Sequence, residues 1–300
     1  MSNVLVFGEI LWDVFSENKV IGGAPFNFAA HLSALGIKSF LISAVGYDAL
    51  GELTVQCINE KNVDSTFTKT VSKPTGVCNV TLDTAGTPSY NLLQDVAYDN
   101  IILTDDEFAQ IDSIEDKCLY AGSLSLRNNV SFNTFKNLVN NCQWKDIFFD
   151  INIRQHYYNR DVVEFCLSSC TVLKFSREEA YVFSELGLSE FNEDDLEALC
   201  IDIADKYDIN IVLLTLDKDG GAVYMADTDT FIYSEKPCCN VVSTVGAGDS
   251  FFAAYINAYL NSMRPEKCLR HAIAVSGYVV EHIEAIPVYD DFLKKQIYIK

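Results

Sequence analysis

A recurring pattern of short apolar runs constrains this chain more than any other feature. Residues 3–7, 38–45, 117–121, 147–151, 171–175 and 211–216 are each largely apolar, and amphipathic stretches such as 194–207 separate the later ones. Continuous apolar runs of this length suit strands buried on both faces, and the alternation with helical periodicity predicts an α/β fold around a mostly parallel sheet. The rhythm stops between Val63 and about Ala97. There Thr66-Phe67-Thr68, 76–82 and 89–93 alternate or run apolar around a turn at 83–88, which predicts a small β appendage. Such a layer suits a lid over a site; a surface hairpin or a dimer contact leaves the same pattern. A late hairpin is expected over 222–225 and 230–233, and a final helix over 265–282. The 300 residues fit one large domain with that appendage.

Charge excludes some partners. Against 22 Lys+Arg stand 42 Asp+Glu, a formal net charge of −20, which opposes binding to nucleic acid or to an anionic membrane. An anionic substrate would need a local basic or metal-assisted site, a condition that ATP carried with magnesium meets. No apolar run is long enough to span a bilayer, and the first residues lack a basic, cleavable leader, so the cytoplasm is the expected location. The ten cysteines show no zinc-like spacing and are read as reduced thiols, including adjacent Cys238-Cys239 and the pair Cys166 and Cys170 on one helix face.

Polar groups gather where apolar runs end, and carboxyl ends of parallel strands are where α/β proteins bind ligands. After the first run, Gly8-Glu9-Ile10-Leu11-Trp12-Asp13 offers Asp13 as an acceptor for sugar hydroxyls, or as a solvated loop carboxylate. Gly22-Gly23-Ala24-Pro25-Phe26-Asn27 opens a helix to about Leu35, capped by Gly36. Asn27 would project from its first turn with a donor and an acceptor for a diol, or simply as a helix-start residue; His31 is read as packing. Later ends carry Asp150-Ile151-Asn152-Ile153-Arg154, Lys174-Phe175-Ser176-Arg177-Glu178-Glu179 and Thr215-Leu216-Asp217-Lys218-Asp219-Gly220-Gly221. Arg154 suits a phosphate and Glu179 a magnesium-bound water, although surface ion pairs would look the same.

The sharpest signal is Ser243-Thr244-Val245-Gly246-Ala247-Gly248-Asp249-Ser250-Phe251-Phe252. Apolar residues at 251, 252, 255, 256 and 259 predict a helix starting at the glycines, so its first N–H groups lack partners and can hold an anion. Asp249 in the first turn then faces the same place. A carboxylate beside bound phosphate makes sense if it takes a proton from an attacking hydroxyl, a role in which position matters more than basicity; the helix start should keep Asp249 ionised and only weakly basic. Alone, Asp249 reads equally as a capping residue. No Lys-Ser/Thr completes a P-loop, and Phe251 holds the third glycine position of a dinucleotide fingerprint.

Gly22-Gly23-Ala24-Pro25-Phe26-Asn27-Phe28-Ala29 followed far downstream by Thr244-Val245-Gly246-Ala247-Gly248-Asp249-Ser250-Phe251 resembles the ribokinase-like (PfkB) carbohydrate kinase family, and within it the bacterial-type fructokinases. Gly8–Asp13, 97–99, 122–127 and 150–155 extend the likeness over nearly the whole chain. The resemblance implies a three-layer α/β/α domain over 1–300 with lid segments at approximately 13–22 and 63–97, transferring the γ-phosphate of ATP to a sugar, foremost D-fructose to fructose 6-phosphate. Asp249 would be the base, with the amides of Gly246, Ala247 and Gly248 as the anion hole. Asp13, Gly23 and Asn27 would hold the sugar, Arg154 would lie near sugar or phosphates, Ser176, Thr215, Asp217, Gly220, Gly246 and Gly248 would meet the nucleotide, and Glu179 would serve magnesium. A homodimer through the lid is a further implication.

The family usually has Asp at the place of Ser243, Asn at that of Ser176 and Gly at that of Asp217. The tail 281–287 lacks the glycine common there, which bears on use of a monovalent cation such as K+. These departures motivate a competing reading, a non-catalytic member that binds a sugar or a protein. Ribose, 2-keto-3-deoxygluconate and nucleosides are alternative kinase substrates.

Overall fold

Alternate residues of the first strand enter different cores: Val4 and Val6 pack on one side of the sheet, Leu5 and Phe7 on the other. That two-sided burial is why the run is apolar throughout, each such side chain contributing roughly 1.5–3 kcal/mol. The computed structural model describes residues 2–15, 18–82, 88–235 and 239–297. The turn expected at 83–88, apart from Pro88, and Cys238 of the adjacent pair lie outside them.

The strands are β1 Asn3–Phe7, β2 Leu11–Val14, β3 Lys19–Gly22, β4 Lys38–Gly46, β5 Thr68–Val71, β6 Gly76–Leu82, β7 Pro88–Leu92, β8 Lys117–Gly122, β9 Ile147–Asp150, β10 Val172–Ser176, β11 Ile211–Thr215, β12 Gly221–Met225 and β13 Thr230–Ser234. The helices are α1 Ala24–Ala34, α2 Ala49–Glu60, α3 Asp105–Asp112, α4 Asn129–Asn141, α5 Arg160–Leu167, α6 Tyr181–Glu185, α7 Leu196–Tyr207, α8 Ala247–Leu260, α9 Pro265–Val280 and α10 Asp291–Ile297. A nine-stranded sheet runs in the order β13-β12-β11-β10-β9-β8-β1-β4-β5. All its pairings are parallel except β11 with β12 and β12 with β13. The chain leaves β1 toward β4 and later returns to its other side with β8, so strand order reverses at β1, the kind of crevice in which open α/β sheets bind ligands.

A second, four-stranded sheet, β3-β2-β6-β7, covers a small core of Leu11, Cys78, Val80, Leu92, Val96, Tyr98 and Leu124. Two expectations are corrected here. β5, assigned from the sequence to the appendage, pairs in parallel with β4 at the edge of the large sheet, while β2 and β3, within or beside the segment 13–22 implied as lid, supply half of the small one. The last helix is α10, not the one over 265–282; its Leu293 and Ile297 bury one side against the large core.

The matched segments 97–99 and 122–127 meet in a structural joint. Arg127 Nε donates to Asp99 Oδ1 at 2.7 Å and Nη2 to Asp99 Oδ2 at 2.8 Å, with the guanidinium between the rings of Tyr98 and Tyr157. The cysteines among the described residues form no disulfide, as expected; Cys170 falls beyond the end of α5 rather than on one helix face with Cys166, though both are buried.

Candidate active site

The site begins with two helix starts that lie side by side on one face of the large sheet. α8 starts at Gly246, whose φ of 79° is left-handed and where a Cβ would lie 2.7 Å from the Ala285 carbonyl oxygen. Only glycine satisfies both demands without strain. The Ala285 carbonyl also lies 3.0 Å from His31 Nε2, while His31 Nδ1 lies 2.6 Å from the Tyr289 hydroxyl, so His31 packs the tail against α1, as its sequence reading held. α1 starts after Gly23, at φ 108°, where a Cβ would press within 2.6 Å of the Glu9 carbonyl oxygen.

Asn27 and Asp249 meet directly. Asn27 Nδ2 donates to Asp249 Oδ2 at 2.8 Å, linking residues that stand at opposite ends of the sequence. Asp249 is only 7% exposed, and burial pushes its carboxyl above the ordinary value; the Asn27 bond and the charges of Arg154 and Lys174 oppose that shift, Glu179 adds to it. The helix start was expected to keep Asp249 ionised and only weakly basic; burial acts the other way and raises its pKa above the ordinary value. The second correction concerns the anion hole. The Ala247 N–H donates to the Thr244 carbonyl at 3.2 Å, whereas no partner occurs among the described residues for the amides of Gly246, Gly248 and Asp249. Those three are free for an anion.

Asp13 stands on β2 opposite Val20 of β3 and beside Cys78 of β6. Burial raises its pKa, against a bond from the Cys78 thiol and the charge of Arg154. Arg154 is itself exposed, its Nη1 donating to the Ile153 carbonyl at 3.0 Å, and its charge acts on Glu9, Asp13 and Asp249. Gly23, Asn27, Asp13, Arg154 and Asp249 thus fall on one side of the α8 start.

Ser176, Thr215, Asp217 and Gly220 lie at or just beyond the ends of β10 and β11, where Ser176 and Thr215 are paired neighbours. Asp217 is exposed with φ 52°; the position needs left-handed backbone, which aspartate adopts more readily than most residues, so Asp serves where the family resemblance implies Gly. Ser243 Oγ accepts the Val245 N–H at 3.3 Å, so a hydroxyl orders the glycine turn without the usual carboxylate.

Glu179 Oε1 accepts the Ile153 amide at 2.7 Å and Oε2 the Ser176 amide at 2.8 Å. Each oxygen keeps a lone pair for one further donor. No group of three or more His, Cys, Asp or Glu that could hold a metal ion occurs among the described residues. The residues fit an ion that arrives hydrated on substrate phosphates, with Glu179 accepting from its water, and do not form a protein cage for a resident ion.

Two buried groups escaped the sequence reading. Glu9 is 2% exposed, burial pushes its pKa up to about 7, and its Oε2 has no hydrogen-bond partner; Asn27 Oδ1 is likewise buried without one. Lys174, inside an otherwise apolar strand, donates from Nζ to Asp150 Oδ1 at 2.9 Å and Oδ2 at 3.1 Å. The available signal was a charge within a run meant to be buried.

A family profile, pfkB family carbohydrate kinase, matches residues 2–291. The chain is 26% identical over 302 residues to the ATP-dependent 6-phosphofructokinase of Thermoanaerobacterium thermosaccharolyticum, covering 95% of this chain and 89% of that one. It is 31% identical over 254 residues to a sugar kinase of Pyrococcus horikoshii, covering 82% and 75% of the two chains. The crystal structure of that uncharacterized kinase aligns with a TM-score of 0.81 over 95% of this chain and 94% of the other, at 26% identity. A likeness of fold alone extends to Vibrio cholerae fructokinase, solved with fructose, ADP and calcium, at a TM-score of 0.79, 19% identity and 96% coverage of both chains. No helix among the described residues is long and apolar enough to cross a membrane. With its matched profile running almost end to end, this chain belongs to the pfkB family of carbohydrate kinases.

Proposed function

We propose that this carbohydrate kinase transfers the γ-phosphate of ATP to a hydroxyl of a neutral sugar, D-fructose first among them, giving fructose 6-phosphate and ADP. The observation that carries the reading is the bond between Asn27 and Asp249, which fixes a buried carboxylate beside the free amides at the start of α8. Asp249 takes the proton from the attacking hydroxyl; the oxygen forms its bond to the γ-phosphorus as the bond to the bridging oxygen of ADP breaks. The amides of Gly246, Gly248 and Asp249 receive the charge on the transferring group, and a base of raised pKa is better matched to that proton than an ordinary aspartate. Glu179 would accept a hydrogen bond from a water of the magnesium ion carried by ATP, which would supply charge neutralisation of the phosphates.

A neutral polyol suits the sugar side. Glu9, Asp13 and Asp249 face one exposed cation, Arg154, and the orphaned acceptors Glu9 Oε2 and Asn27 Oδ1 call for hydroxyl donors. A substrate already carrying a phosphate or carboxylate would meet like charge there. The small sheet serves as the lid, and its edges β3 and β7 are where a second copy would pair. The bond from Val245 to Ser243 weighs against the non-catalytic reading, since the turn is ordered without the family's usual carboxylate.

Thermal unfolding with Mg-ATP, fructose and both together tests this: each should raise Tm, with fructose 6-phosphate formed in the mixture. Stabilisation by sugar alone, with no product, would favour the binding-only alternative.

A further inference from the structure

Lys174 has no role in the transfer derived so far, yet it sits beneath it. Its side chain is 6% exposed and that of Asp150 0%, and both Asp150 oxygens accept from its Nζ. A Cβ placed on Gly248 would lie 3.1 Å from Nζ, so the ammonium underlies the second residue of α8, whose amide is one of the free donors. β10 is otherwise apolar at Val172, Leu173 and Phe175, all wholly buried. A buried ion pair in such surroundings adds little net stability over apolar packing, so stability gives no reason for a lysine there.

We infer that Lys174, held by Asp150 under the start of α8, is a positioning residue of the phosphoryl transfer: its ammonium adds positive charge beneath the anion hole and holds Asp249 in its charged, proton-accepting form. The inference rests on the proposed function. It also gives Gly248 a reason to be glycine, since a side chain there would crowd the ammonium beneath the helix start. The field at Asp249 is the sum over every element packed against it. Arg154 and Lys174 favour its charge, with the Asn27 bond; Glu179, Glu9 and Asp150 oppose it, and the Tyr120 hydroxyl lies within the same cluster. Burial works against the Lys174 ammonium, but Asp150, Glu179 and Asp249 outweigh it, and the group stays charged. The cation is buried, held by Asp150, and fixed before substrate arrives.

The test is the titration of the Asp249 carboxyl by carbon NMR, assigned with Asp249→Asn, alongside the pH profile of kcat. In Lys174→Met the Asp249 midpoint and the acid limb of kcat should both move up by about one pH unit, and in Asp150→Asn both should move down. Because Lys174→Met strands a buried carboxylate and can fail to fold, the Lys174→Met/Asp150→Asn double variant carries the decision. The double variant removes the ammonium that favours the Asp249 charge without stranding its partner, and the inference expects the midpoint still to rise there. A purely structural pair would lower Tm with the midpoint and the limb unmoved, and that result, or a downward shift in the double variant, overturns the inference. If the wild type transfers no phosphate the proposed function falls, and the NMR midpoints still decide whether Lys174 holds the charge of Asp249.

Discussion

The two sides of the α8 start are built differently. On the side we assign to the sugar, Glu9, Asn27 and Asp249 are buried and Asn27 is already bonded to Asp249. On the side we assign to the nucleotide, Val241, Val242 and Val245 ahead of α8 are 55%, 51% and 54% exposed, Asp217 stands in solvent, and the groups offered are largely backbone amides. The departures from the family pattern at Ser243, Ser176 and Asp217 all fall on the open side. Where side chains do the positioning, each identity matters; where backbone does it, a side chain can change provided the local conformation survives, as Asp217 and the Ser243 turn illustrate.

The comparison breaks most sharply at Asp249. Asp249→Asn should lower kcat by about a hundredfold or more while fructose still raises Tm, because the base is lost and the pocket is not. Next comes its support. Asn27→Ala should lower kcat/KM for the sugar by about ten- to a hundredfold, the worth of a hydrogen bond to a buried charge, and leave KM for Mg-ATP nearly unchanged. An equal loss on both substrates would erase the distinction between the sides.

On the open side the expected effect is smaller. Ser243→Asp, which restores the family's usual carboxylate, should change KM for Mg-ATP by less than about fivefold, since exposed charges contribute about 0–1 kcal/mol. A large gain in turnover would mean that the turn is poorly ordered as it stands. The smallest effect concerns pH and Glu9. Its folded pKa of about 7 exceeds the ordinary 4.5, so the folded state keeps this proton longer and stability falls as pH rises from about 4.5 through 7. Glu9→Gln should therefore match the wild type in Tm near pH 4 and exceed it near pH 8; parallel curves would place Glu9 in a solvated setting.

The alternation of apolar runs placed the large sheet correctly because two-sided burial writes itself into consecutive residues. β5 was misplaced because an edge strand buries one face only: Thr68–Val71 has the partial burial of a surface hairpin, and nothing local says that its partner is β4. α10 was missed because only Leu293 and Ile297 of its seven residues are buried, while Phe292 faces solvent at 76% exposure. Asn27 and Asp249 were legible as helix-start polar residues, but the bond between them depends on α1 packing beside α8, a fact of tertiary structure. Glu9, Lys174 and Asp150 show the limit of the method. A charged residue in an apolar run has no meaning until its burial and its partners are known, and the burial of Asp249 that strengthens it as a base was equally invisible.

The most direct measurement is ADP release with Mg-ATP across fructose, ribose, glucose, 2-keto-3-deoxygluconate and adenosine, run on the wild type and on Asp249→Asn. The account predicts rapid release with fructose, little with the others, and loss of the fructose signal in the variant. Release with none of them by a folded protein, or an undiminished rate in Asp249→Asn, would contradict it.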